Sequence, residues 1–202
     1  MLGAKLALKA GFDGVELHGA NGYLIEQFLN ANVNKRSDGY GGSIEGRNRF
    51  ALECARAVVR AIGPERVGIR ISPYGAACAT GAFPEVEPQY LALMRELTRL
   101  ELLYVHQVDH SALGGASVPA EFKLKLREAF KGLMILAGGF DRSSAERALA
   151  DKRGDLIAFG RPFLANPDLV ERMRKKAPLN APDPTTFYAP DAKGYTDYPT
   201  LG

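Results

Sequence analysis

Five short apolar runs recur along the chain: Gly14–His18 (GVELH), Val67–Ser72 (VGIRIS), Leu103–Val108 (LYVHQV), Leu133–Ala137 (LMILA) and Leu156–Phe159 (LIAF). Each ends at or beside a glycine, serine or other polar residue. They are continuous rather than alternating, the pattern of strands buried on both faces. Helical spacing fills the intervals: Ser43–Ala61, stopped by Gly63-Pro64, then Pro88–Leu100, Val118–Phe130, Ser143–Ala150 and Pro167–Lys176. Asp141 or Ser143 can cap the fourth of these, and the basic run Arg172–Lys176 falls where a helix C-terminus favours cations. Alternating strands and helices predict a parallel α/β fold. The polar residues gather after the strands, as in a β/α barrel whose chemistry lies at the strands' C-terminal ends. A doubly wound sheet would want G-x-G-x-x-G after its first strand, and GANG (Gly19–Gly22) is not that fingerprint.

With 202 residues, 46% of them hydrophobic and 24% charged, the chain suits one globular domain. A net charge of +3, with both signs interspersed, excludes the basic face expected of a nucleic-acid binder. No apolar run reaches the roughly 18 residues of a membrane span. The N-terminus MLGAKLALKAGF reads as part of a helix and lacks the apolar core and cleavage site of a signal peptide. Cys54 and Cys78 stand far apart, and neither they nor the three histidines have metal-ligand spacing, so no metal site is expected. Cys54, in RFALECARAVVRAI, reads as a small core residue, and two stray thiols predict a reducing, cytoplasmic setting. The last segment has five prolines and four Tyr or Phe residues, too aromatic for a disordered tail. The expected organisation is a partial barrel over 1–177 and an ordered segment over 178–202 laid across its mouth.

HGANGYL (His18–Leu24) places an imidazole, an amide and a phenol at the end of the first strand. His18 and Asn21 N–H groups can converge on one carbonyl oxygen and stabilise enolate charge. Tyr23, a phenol and so a weak acid, can protonate a strongly basic carbon. The same letters also suit a plain strand-to-turn junction, Asn-Gly being a common turn pair. Arg70 interrupts an apolar strand, where a charge is costly without a partner; Glu16 in the neighbouring strand is one candidate. Gly138-Gly139 and Gly160-Arg161 end the last two strands, where barrels commonly cradle phosphate on backbone N–H groups. Glycine permits the approach and Arg161 can grip phosphate oxygens, though two glycine turns and a surface arginine would look alike. Arg36, Asp38 and Tyr40 read as a loop-ordering network. Ser43, Glu45, Arg47 and Arg49 start and pin the following helix. His106 reads as a strand histidine with no assigned role.

GFDGVELHGANGYLIEQFLNANVNKRSDGYGGSIEGRNRF, VGIRISPYG, LAGGF, IAFGRPFLANPDL and TFYAPDAKGYTDYPTL, in this order, resemble the Old Yellow Enzyme family of FMN-dependent ene-reductases. The resemblance spans essentially the whole chain. It departs at Glu45-Gly46-Arg47, where the family has E-N-R, and in detail over Gly75–Gly81. It implies a TIM-barrel fold of which this chain matches about the last five βα units, without the strands that carry the flavin pyrimidine contacts. It further implies that His18 and Asn21 bind a substrate carbonyl, that Tyr23 donates a proton, and that Arg70 stabilises the reduced flavin. Gly138, Gly139, Gly160 and Arg161 would hold the FMN phosphate, and Tyr188, beside Phe187, would line the substrate pocket. The implied reaction uses NADH or NADPH to reduce alkenes conjugated to a carbonyl or nitro group. A competing expectation is a truncated fragment or association module that needs the N-terminal half. Five of eight strands leave two open edges, which favour pairing with another chain or a second copy.

Overall fold

Pairing runs strictly in chain order through five parallel strands: β1 (Val15–Gly19), β2 (Val67–Ile71), β3 (Tyr104–Val108), β4 (Leu133–Ala137) and β5 (Leu156–Ala158). A doubly wound sheet reverses its strand order partway, whereas a barrel adds each strand beside the last. The computed structural model describes residues 1–202, the side chain of Leu113 excepted. Its helices are α1 (Leu2–Lys9), α2 (Leu24–Leu29), α3 (Ile44–Ile62), α4 (Val86–Arg99), α5 (Ala120–Ala129), α6 (Arg142–Ala150), α7 (Arg161–Ala165) and α8 (Leu169–Lys175). The result is an incomplete β/α barrel, with β1 and β5 as its two unpaired edges.

One face of the sheet lies under the helices. Val67, Ile69, Ile71, Val105, Met134 and Leu136 are buried there against Ala51, Ala55 and Val58 of α3, Leu93, Met94 and Leu97 of α4, and Phe122 and Leu126 of α5. The other face carries one row across the strands, His18 beside Arg70, Arg70 beside His106, His106 beside Ile135 and Ile135 beside Leu156. These residues are exposed or only half-buried, and burial alternates along most of β1, β3 and β4. The expectation of strands buried on both faces is therefore corrected. A closed barrel buries its inner face in its own interior; five strands leave that face partly open. Gly68 and Val108 are buried exceptions on it, Gly68 because the Tyr104 ring lies over its Cα, so that any Cβ there would collide with the ring.

Local rules set the helix ends. Ser43 caps α3, its hydroxyl accepting from the Gly46 N–H at 3.1 Å, and Gly63 at φ +89° ends it. Arg47 pins α3 by donating to Gln89, to the Gly42 carbonyl and to Glu85, each at 2.7 Å. Asp141 and Ser144 form a reciprocal capping box on α6. Arg36 pairs with Asp38, and Tyr40 donates to Glu53 at 2.9 Å, ordering the loop before α3. Cys54 is half-buried on α3 rather than a core residue. The six-residue α2 and five-residue α7 are too short to show periodicity and went unread in the sequence.

The segment 178–202 is tied down by the Asn166–Asn180 amide pair, Asn180 also donating to the Ala165 and Pro199 carbonyls at 2.8 Å, and by one buried guanidinium. Arg172 on α8 donates to Asp168 at 2.7 Å, to the Pro178 carbonyl at 2.6 Å and to the Pro199 carbonyl at 2.9 Å. Asp168 also accepts from the Leu201 N–H at 2.8 Å. Between these anchors the chain carries Phe187 and Tyr188 to the C-terminal ends of the strands.

Candidate active site

The turn after β1 is shaped by two residues in the left-handed region, Asn21 at φ +59° and Gly22 at φ +75°. Asparagine tolerates this conformation; at Gly22 a Cβ would also strike the Ala77 carbonyl. The turn is held from beneath. Asn21 N–H donates to Ser72 Oγ at 2.8 Å, Gly22 N–H to Glu26 Oε2 at 2.6 Å, and the Ser72 hydroxyl to Glu26 at 2.9–3.0 Å. Tyr90 OH approaches the same carboxyl at 3.5 Å. Glu26 is 1% exposed. Burial pushes its carboxyl above the usual range, and the hydrogen bonds from Gly22, Ser72 and Tyr90 only partly offset this.

His18 and Tyr23 stand on the β1 edge with ring centroids 5.1 Å apart, and Tyr23 is 57% exposed. Burial, then the nearby charge of Arg70, lowers the His18 pKa and so favours the neutral imidazole. The Asn21 side chain meets His110, whose Nε2 lies 3.0 Å from Oδ1. Glu16 does not pair with Arg70: it bonds His106 Nδ1 at 3.0 Å. It also helps, after burial, to push the Tyr104 phenol up to about 12. Arg70 Nε is left buried with no protein partner, and burial depresses its pKa. His106 Nε2 is buried and unpartnered as well.

These groups border a cleft of about 670 Å³ at the strands' C-terminal ends, within the usual range for small-molecule sites. Asn21, Arg70, His106, His110, Gly138, Gly139, Gly160, Arg161, Phe187 and Tyr188 all line it; His18 and Tyr23 do not, and sit beside it on the β1 edge. Tyr188 is 97% exposed. At Gly138, with φ +120°, a Cβ would strike the Asp109 carbonyl, and Gly139 has φ +65°, so glycine is dictated at both. At Gly160 a Cβ would meet nothing, so the protein's own packing does not demand glycine there. Arg161, exposed, opens α7. The lining includes two arginines, Arg70 with its Nε unpartnered and Arg161 exposed, which fits a bound anion with several acceptors. Among the described residues no group of metal-binding side chains gathers, and no helix is long and apolar enough to cross a membrane. A second groove, of about 490 Å³, runs between α3 and α4 and is lined by helix-surface arginines and glutamates.

The sequence profile of the NADH:flavin oxidoreductase / NADH oxidase family matches residues 2–180. The chain belongs to that family. 12-Oxophytodienoate reductase 2 of Arabidopsis thaliana is 47% identical over 205 residues, covering 99% of this chain and 54% of its own length. Morphinone reductase, solved in complex with tetrahydroNAD, superposes with a TM-score of 0.92 at 46% identity, over 98% of this chain and 53% of that one. An old yellow enzyme homologue from Zymomonas mobilis gives a TM-score of 0.92 at 37% identity, over 98% and 56%. The chain thus spans about half the length of these flavin oxidoreductase relatives.

Three members of the site lie outside the sequence reading, Glu26, Ser72 and His110, while His106 enters it as a strand histidine near the mouth without a role. Glu26 carried a weak signal, as an acid within the mostly apolar run YLIEQFL. His106 and His110 carried none, because their partners lie 90 and 89 residues away.

Proposed function

We propose that this chain carries the catalytic half-barrel of an FMN-dependent NAD(P)H oxidoreductase that reduces alkenes conjugated to a carbonyl or nitro group. The observation that carries it is Arg70, a half-buried guanidinium with an unpartnered Nε. It shares one row with His18 and lines the same cleft as Asn21 and the two glycine turns. Arg70 would meet the electron-rich edge of the flavin, and Gly138, Gly139, Gly160 and Arg161 its phosphate. Bound FMN supplies a hydride, taken from NADH or NADPH, for the β-carbon of the alkene. The tetrahydroNAD complex of the solved relative supports a nicotinamide reductant.

The chain's own side chains do the rest. Neutral His18 and the Asn21 amide each donate to the substrate oxygen, where charge grows as the β-carbon takes hydride. A donor placed this way is worth about 3–4 kcal/mol in the transition state. Tyr23, next to the His18 ring, hands its phenolic proton to the α-carbon. Tyr188 borders the space the alkene enters. The substrates are small molecules, and a cytoplasmic setting suits the free thiols.

Turnover of 2-cyclohexenone by the FMN-loaded chain, wild type against Tyr23→Phe, tests this reading. A roughly 10²–10⁴-fold fall in reduction with unchanged flavin retention supports Tyr23 as the acid. Equal turnover removes it. The unpaired edges β1 and β5 favour a second reading, a half-barrel that needs a partner or second copy before it binds FMN. Gel filtration of the chain with FMN separates the two: flavin co-eluting with monomer supports the first, and colourless or assembled protein the second.

A further inference from the structure

We propose that His110 sets which end of the Asn21 carboxamide faces the cleft, making Asn21 a donor rather than an acceptor there. This rests on the reading of Asn21 as a binder of the substrate oxygen. The backbone of Asn21 is already fixed, at φ +59° with its N–H on Ser72 Oγ. The side-chain amide is not: its last torsion is soft and roughly two-fold, and its two ends have opposite character. Among the described residues its one side-chain hydrogen bond is the 3.0 Å contact between Oδ1 and His110 Nε2. Nε2 must carry a hydrogen to meet an oxygen, and the neutral Nε2–H tautomer and the imidazolium both do so. With Oδ1 engaged, both Nδ2 hydrogens are left for the cleft that the two residues line.

The imidazole is itself held in place. It sits half-buried on the loop after β3, where the Gly115 N–H donates to the His110 carbonyl at 3.1 Å. The neighbouring Asp109 accepts from the Ser111 N–H at 2.8 Å and pairs with Lys123 at 2.5 Å. A Cβ on Gly75 would come within 3.0 Å of Nδ1, so the turn after β2 packs on the ring's other nitrogen. Three loops, after β1, β2 and β3, thus converge on one torsion. Without His110 the amide is free to reverse, and its oxygen would then confront the lone pairs of an incoming carbonyl or nitro oxygen. His110 also lines the cleft, but the role assigned to it is that of a positioning residue acting through Asn21.

The first test needs no flavin. Nitrogen-15 spectra of the histidine rings of the full chain report which nitrogen carries hydrogen, and the His110 signals are those lost in His110→Gln. A protonated Nε2 is expected; a bare Nε2 with the proton on Nδ1 reverses the amide and overturns the proposal. The second test is the dissociation constant of 2-cyclohexenone on the FMN-loaded chain, read from flavin absorbance. His110→Ala should weaken it about tenfold, the effect of one lost hydrogen bond. His110→Gln, which can still donate, should restore most of it. In an Asn21→Ala background, His110→Ala should change nothing further. Equal weakening in both backgrounds overturns the proposal by showing that His110 acts elsewhere. A chain that retains no flavin supports the half-barrel that needs a partner before it binds FMN, and the ring-nitrogen measurement then decides this proposal.

Discussion

Removing the Glu26 carboxyl should both loosen the fold and release the turn that carries Asn21. Glu26→Ala strands the Gly22 N–H and the Ser72 hydroxyl, which now lie 2.6 Å and 2.9–3.0 Å from its oxygens. The Tyr90 contact, at 3.5 Å, adds little. Two buried donors left unpaired cost about 1–3 kcal/mol each. Relief from no longer burying a carboxyl works the other way, leaving a net loss of about 2–4 kcal/mol. Glu26→Gln keeps one acceptor oxygen but turns an NH₂ towards donors, and should lose about 1–2 kcal/mol. With a urea slope of about 2 kcal/mol per molar, the alanine midpoint falls by about 1–2 M. A fall under about 0.3 M would refute the account of the turn as resting on Glu26. The pH dependence is a second check. Burial raises the folded-state pKa above its ordinary 4.5, so the folded chain holds this proton more tightly than the unfolded one. The contribution is then full below about pH 4.5 and declines as pH rises through the raised value. The margin of wild type over Glu26→Gln should narrow as pH rises above about 4.5. A margin that widens would mean a carboxylate stabilised by its donors more than it is penalised by burial.

Gly68→Ala should destabilise by about 1–3 kcal/mol in the same urea titration, because its methyl group must displace the Tyr104 ring from the sheet's inner face. A neutral effect would show that the ring moves aside freely. Arg172→Ala removes the donor shared by Asp168 and the Pro178 and Pro199 carbonyls, and brief proteolysis should then cut within 178–202 while the half-barrel survives. An unchanged digestion pattern would mean the segment is held elsewhere.

What could be read from the letters divides by range. The five strands and the long helices announced themselves through runs and periods that need only neighbours in sequence. The Gly138-Gly139 turn at the cleft was legible for a similar reason, because the backbone itself demands glycine at both positions, whereas nothing in the packing demands it at Gly160. The site's supports were not. Glu26 looks like an ordinary acid in the first turn of a helix, where negative charge is usually solvated. Only the fold shows its carboxyl turned back under Gly22 and met by Ser72, 46 residues away. Arg70 was rightly singled out as a charge needing a partner, yet the neighbouring acid in the next strand went to His106 instead. The half-open inner face was misread because apolar continuity reports what a closed barrel would bury.

The link between Arg172 and the two proline carbonyls gives the segment 178–202 the topology of a loop with a closed neck. Pro178 and Pro199 meet at one guanidinium, and Phe187 and Tyr188 ride near the far side of the circuit. Neck and tip are therefore separable. Lengthening such a loop costs little, about 0.6 kcal/mol for each doubling. The roof of the cleft can thus gain or lose residues while its hinge stays the same. Changes in what the cleft admits can accumulate in the circuit between the two prolines, leaving the strands and their donor row untouched.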